Sequence, residues 1–145
     1  MKNIMNEIST QYIGQLTEQK CFLKCLEAGY QVSKPLFDNA RYDFILDTGE
    51  RLLKIQIKTS AWNEDKTAFS FNGYSQHSTG KGNKRMKYTN KEIDFFMTEK
   101  DGQFYLYPAT ETGFAEKCLR ISAKQNQSQI NWAKDYLFEE VSKNF

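Results

Sequence analysis

One short segment holds residues able to do chemistry together: Leu53-Lys54-Ile55-Gln56-Ile57-Lys58-Thr59 alternates apolar and polar side chains. In an extended strand successive side chains point to opposite faces, so Leu53, Ile55, Ile57 and Thr59 share one face and Lys54, Gln56 and Lys58 the other. Residues 42–47 read as the preceding strand. Folded back across a two-residue Thr48-Gly49 turn, it sets Asp43 opposite Lys54, on the side of Gln56 and Lys58. Diagonal neighbours on such a pair sit about 7–8 Å apart. A hard cation with oxygen ligands at about 2.0–2.6 Å could then bridge the Asp43 carboxylate and the Gln56 amide oxygen. A three-residue loop with Gly49 in a bulge would invert the parity and separate them.

That residue set suits metal-assisted phosphodiester hydrolysis. A carboxylate holds a divalent ion that activates water and neutralises phosphate charge. A neighbouring lysine, Lys58, can orient the water or stabilise the developing oxyanion. A second carboxylate from a helix, Glu18, would complete the metal shell or relay to it. The competing reading is a half-exposed strand whose polar residues simply face solvent.

The elements that must position these groups are legible in outline. Residues 10–28 have helical spacing, with Ile13, Leu16, Leu23 and Leu26 on one stripe and Glu18 on its border; Gly29 supplies the stop. Strands are expected over 30–36, 42–47, 51–60, 68–73, 93–98 and 104–107, the last two joined at Asp101-Gly102. Thr89-Asn90-Lys91-Glu92 is a capping-box pattern worth a short turn. Residues 131–143 read as a closing helix. Phe44, Leu46, Tyr42, Ile93, Phe95, Phe104, Leu106, Trp132 and Tyr136 are expected in the core. The order implies an α/β (α+β) domain on a mixed sheet, one domain over 1–145, since 145 residues make one comfortable core.

Composition removes several other classes. Three cysteines without a CxxC pair, and His77 as the only histidine, leave a zinc site short of ligands. The same single histidine argues against a Ser-His-Asp or Cys-His hydrolase. There is no GxxxxGK[ST] segment for a phosphate loop. No apolar run approaches the ~20 residues of a membrane helix, and the first residues lack a signal peptide's apolar stretch. An intracellular, cytoplasmic protein with reduced thiols and no membrane partner is expected.

Charge is unevenly placed. Residues 66–91 contain no acid, and Lys66, Lys81, Lys84, Arg85, Lys87 and Lys91 give them +6, which leaves −4 for the rest of a chain of net charge +2. The stretch around Ser78-Thr79-Gly80-Lys81-Gly82-Asn83-Lys84-Arg85 reads as a flexible loop rich in donors, the usual contact set for a sugar-phosphate backbone. A solvated loop is the plainer alternative.

Taken in order, Glu18, Gly29, Tyr42-Asp43 and Ile55-Gln56-Ile57-Lys58-Thr59 resemble the PD-(D/E)XK nuclease superfamily. More narrowly, the chain is similar to its group I intron-encoded homing endonuclease branch. Gly14 and Glu18, Gln56 in the usual acidic position, Tyr88 through Glu92-Ile93-Asp94-Phe95-Phe96, and Leu106-Tyr107-Pro108 carry that likeness over about residues 10–140. Two departures stand out: the literal PD dipeptide is absent, Pro35-Leu36 preceding Asp43, and the neutral Gln56 should weaken the bound ion. The resemblance implies a restriction-endonuclease-like core and Mg²⁺ (or Mn²⁺) held by Asp43, Gln56 and Glu18. It implies Lys58 as the catalytic lysine, with Lys81, Lys84, Arg85 and Lys87 on double-stranded DNA. It also implies a homo-oligomer, dimer or tetramer, because a small protomer covers little DNA. A Holliday-junction resolvase, a restriction or repair nuclease, and a non-catalytic DNA-binding module on the same fold are the alternatives.

Overall fold

The computed structural model describes residues 9–122 and 129–145. The helix α1 spans Thr10–Glu27, capped by Ser9, whose hydroxyl accepts from the Tyr12 N–H at 3.2 Å. It stops where Gly29 takes φ +89°, a left-handed conformation that other residues resist. Strands β1 (Gln31–Ser33), β2 (Phe44–Asp47) and β3 (Leu52–Ile57) form an antiparallel meander. After β3 the chain builds β4 (Ala61–Trp62), β5 (Ala68–Asn72), β6 (Tyr74–Thr79) and β7 (Gly82–Lys87). It then returns as β8 (Phe95–Lys100), parallel to β3, and folds back as β9 (Gln103–Pro108). The main sheet has the order β1-β2-β3-β8-β9. A second sheet joins β4 and β5 to β10 (Glu116–Arg120), and β6 with β7 form a separate hairpin. The expected mixed sheet flanked by helices is therefore present.

Two apolar clusters sandwich the main sheet. On one face Phe44, Leu46, Leu53, Ile55, Ile57, Met97 and Leu106 meet Cys21 and Cys25 of α1. On the other, Phe96, Tyr105 and Tyr107 meet Phe69, Phe71 and Leu119 of the second sheet. Strict alternation along β9 sends Leu106 to the first cluster and its neighbours Tyr105 and Tyr107 to the second.

Several expectations need correction. The apolar stripe of α1 faces outward: Tyr12, Ile13, Leu16, Leu23 and Leu26 are between 42% and 58% exposed, while Thr17, Cys21 and Cys25 are buried. Small side chains let the helix lie close on the sheet, and that contact outweighs the longer apolar stripe. The basic loop is the β6–β7 hairpin, paired from Tyr74↔Lys87 to Thr79↔Gly82. Its strands escape detection because an exposed ribbon needs no apolar alternation. The closing helix is broken into a 3-10 turn (Ala133–Tyr136), a short helix α2 (Phe138–Val141) and a second 3-10 turn (Ser142–Asn144). Leu137, extended at ψ 139°, bridges to Tyr105 and interrupts it. Tyr42 packs at the border of the second cluster, apart from Phe44 and Leu46 in the first. Among the described residues no helix is long and apolar enough to cross a membrane.

Candidate active site

The β2–β3 register decides where Asp43 lies. Phe44 pairs with Ile55 and Leu46 with Leu53, two residues away from the register of a two-residue turn. The connection is a four-residue turn closed by the Thr48 N–H on the Arg51 carbonyl at 2.9 Å. A shift of two preserves facing, so Asp43 keeps to the side of Lys54, Gln56 and Lys58. Its own N–H donates to the Ile55 carbonyl at 2.8 Å, and its carboxylate Oδ2 accepts from the Ile57 N–H at 2.7 Å.

Asp43 and Glu18 line one cleft of about 380 Å³, with Gln15, Lys34 and Tyr42 among its walls. Glu18 reaches it from the flank of α1 and lies 3.7 Å from the Lys34 ammonium. Burial raises the Asp43 carboxyl to about 6; the Ile57 N–H opposes this, Glu18 adds to it, and Lys58 and Lys34 oppose it. Burial likewise lowers the Lys58 ammonium to about 8, with Asp43 acting against that shift and Arg41 reinforcing it. Burial thus brings the two groups toward neutral pH from opposite directions. Lys58 donates to the Tyr74 carbonyl at 2.7 Å and lies 5.1 Å from the Tyr88 ring centre.

Gln56, half-buried on β3, donates its side-chain N–H to the Ile57 carbonyl at 3.3 Å. Among the described residues no cluster of three or more His, Cys, Asp or Glu side chains forms. The acids at the cleft that act on one another are Asp43 and Glu18. This donor set still fits a hard divalent cation: two carboxylates and an amide carbonyl are all oxygen ligands. Burial is the main cause of the upward shift of Asp43 and Glu18 adds to it, so a cation held between the two carboxylates would favour their charged forms.

Lys84, Arg85 and Lys87 are exposed along β7 and Lys81 at the hairpin tip, with the Arg85 guanidinium 4.5 Å from the Tyr74 ring centre. The hairpin is rooted at Lys58, because its first residue, Tyr74, accepts from that ammonium. Asp94 lies outside the site, its carboxylate accepting from the Lys54 N–H at 2.8 Å. Sequence reasoning missed Arg41 and Tyr74, and it named Tyr88 only as part of the family likeness, with no place at the site. An arginine two residues before Asp43 is the one available signal, and it reads like any surface arginine.

A family model described as PD-(D/E)XK endonuclease matches residues 8–139. Among solved structures, that of a bacterial homing endonuclease, I-Ssp6803I, is similar with a TM-score of 0.73 at 22% identity, covering 93% of this chain and 93% of that one. No curated protein matches. At that identity the likeness speaks for a shared fold.

Proposed function

This chain belongs to the PD-(D/E)XK endonuclease family, and from that premise we propose that it is a Mg²⁺-dependent (or Mn²⁺-dependent) endonuclease that hydrolyses phosphodiester bonds in double-stranded DNA. The observation that supports the reading is that Asp43 and Glu18 share one cleft, while Lys58, outside the cleft lining, acts on Asp43 by its charge and is bonded to the root of an exposed basic hairpin. The likeness to a homing endonuclease favours site-specific cutting.

Asp43, Glu18 and the Gln56 amide oxygen would hold the metal, which supplies Lewis-acid polarisation of the phosphate and a lowered pKa for bound water. Asp43 is oriented for this by the Ile57 N–H, so β3 itself aims the acid. Lys58 places a positive charge beside Asp43 where the attacking water and the developing oxyanion would lie. Its depressed pKa lets it exchange a proton near neutral pH. Lys81, Lys84, Arg85 and Lys87 neutralise phosphates along the duplex.

The enzyme works as a homo-oligomer in this reading. One protomer covers little duplex, and the outward face of α1 offers Tyr12, Leu16, Leu23 and Leu26 at the alternating three- and four-residue steps of a helix–helix seam, with Gln19 completing the series. A second copy of the chain is the occupant that would bury it. Incubation of the protein with supercoiled plasmid, in Mg²⁺ or in EDTA, tests the function. Nicking or linearisation in Mg²⁺ alone supports it. Binding without cleavage points to a non-catalytic module, and preference for four-way junctions over linear duplex points to a resolvase.

A further inference from the structure

Two residues before Asp43, the Arg41 side chain is bonded on every side. Its Nε donates to the Glu92 carboxylate at 2.6 Å and one Nη to the Ser75 hydroxyl. The other Nη donates to the carbonyls of Met86 and Lys87 at 3.2 and 3.0 Å. The guanidinium carbon stands 3.9 Å from the Tyr88 ring centre. Ser75 opens the hairpin just after Tyr74, and Met86 and Lys87 close it, so one side chain grips both strands at their root.

A guanidinium has five N–H donors in a rigid fork. Four contacts from three nitrogens, with Glu92 balancing the charge, leave little to offer a phosphate. Arg41 is therefore a clamp and not a DNA ligand. The same root is tied by a second bond to Lys58, whose charge acts on Asp43: the Lys58 ammonium donates to Tyr74, and Lys58 and Arg41 lie against the same Tyr88 ring. Tyr88 closes the stem with its N–H on the Gly73 carbonyl at 2.9 Å. Gly73 in turn admits no side chain, because a Cβ there would run into the Phe114 ring and backbone oxygen. The hairpin root is thus fixed on several sides, and Arg41 is the part that ties it to the strand bearing the acid.

Resting on the nuclease reading above, we propose that Arg41 is a positioning residue: it locks the β6–β7 hairpin to the cleft, so that DNA held by the hairpin meets Lys58 and Asp43 in a fixed geometry. The hairpin keeps Lys81, Lys84, Arg85 and Lys87 whatever its tilt, so loosening its root leaves affinity nearly intact. What it displaces is the scissile bond, and a misplacement of about 1 Å costs on the order of 10²-fold in rate.

The test uses the full chain with Arg41→Lys, which keeps the charge and loses the fork, and Ser75→Ala, which removes one acceptor and leaves Arg41 in place. Cleavage of supercoiled plasmid in Mg²⁺ gives kcat and KM. Anisotropy of a labelled duplex in EDTA gives affinity. Amide hydrogen exchange reports on residues 74–87 without reference to activity. For Arg41→Lys we expect kcat to fall about 10²-fold, KM and affinity to change less than about threefold, and exchange to accelerate in the hairpin alone. Ser75→Ala moves the same way by a smaller factor. Full activity in Arg41→Lys, equal losses of kcat and affinity, or unchanged hairpin exchange overturns the clamp. If Arg41→Lys loses protection everywhere, Ser75→Ala decides by the same criteria. If the wild-type chain cleaves no DNA, the nuclease reading falls, while the exchange experiment still decides whether Arg41 holds the hairpin.

Discussion

The carboxylate of Asp43 accepts a 2.7 Å hydrogen bond from the backbone N–H of Ile57. The acid on the edge of β2 is thereby held by the main chain of β3, between the two residues that carry Gln56 and Lys58. A side chain can rotate away from a side-chain partner, but a bond to a sheet backbone ties it to the fold itself. Any change of β2–β3 register would move Asp43 relative to Lys58.

Burial of Asp43 works against stability. Its carboxyl titrates near 6 in the folded chain against 3.8 when solvated, so between those values the folded state binds more protons and stability falls as pH rises. Lys58 titrates near 8 against 10.5, so there the unfolded state binds more protons and stability rises with pH. Without metal, Asp43→Asn should be more stable than wild type at pH 7 by roughly 1–3 kcal/mol and should lose cleavage. Urea melts at pH 4, 7 and 9 check this; a less stable variant at pH 7 would show that the Lys58 pairing outweighs desolvation.

Lys58→Ala should abolish cleavage while duplex affinity changes little. A group acting in the transition state affects rate more than binding. Single-turnover cleavage and anisotropy on the same DNA separate the two. Parallel losses would make Lys58 a binding residue, and retained cleavage would transfer its role to another group, with Lys54 the first to examine.

Replacing Lys84 and Arg85 with alanine should weaken binding and flatten the dependence of log K on log salt by up to ~2, at about 0.9 per phosphate contact. The fold should hold, because β7 is exposed along its whole length and those side chains support no apolar cluster. A salt titration of duplex binding is the measurement. An unchanged slope would place DNA elsewhere.

Leu16→Glu combined with Leu23→Glu should convert an oligomer to a monomer without lowering the melting temperature of the protomer. Both residues lie on the outward face of α1, 44% and 54% exposed, and two like charges facing their copies repel. Light scattering after size exclusion gives the mass. A monomeric wild type removes the seam from the account.

The β2–β3 and β8–β9 hairpins were legible in the sequence, because alternation along residues 53–59 and the Asp101-Gly102 turn are local signals, whereas β4, β10 and the parallel pairing of β3 with β8 were not read from it. The facing of Asp43, Gln56 and Lys58 was legible as well, since a register error of two residues leaves parity untouched. Family membership is shown by the match over residues 8–139, which spans the segment that carries the resemblance. Tertiary structure alone decided which face of α1 is buried: close approach to the sheet selects Thr17, Cys21 and Cys25, and hydropathy along the helix points the other way. It alone made a hairpin of a polar, basic stretch, whose backbone pairing leaves no trace in side-chain character. It alone brought Arg41 to Ser75, Met86 and Lys87, because contacts 34 to 46 residues apart depend on how the chain returns. The pKa values of Asp43 and Lys58 belong to that same level, since desolvation exists only once the strands and the hairpin root have closed around them.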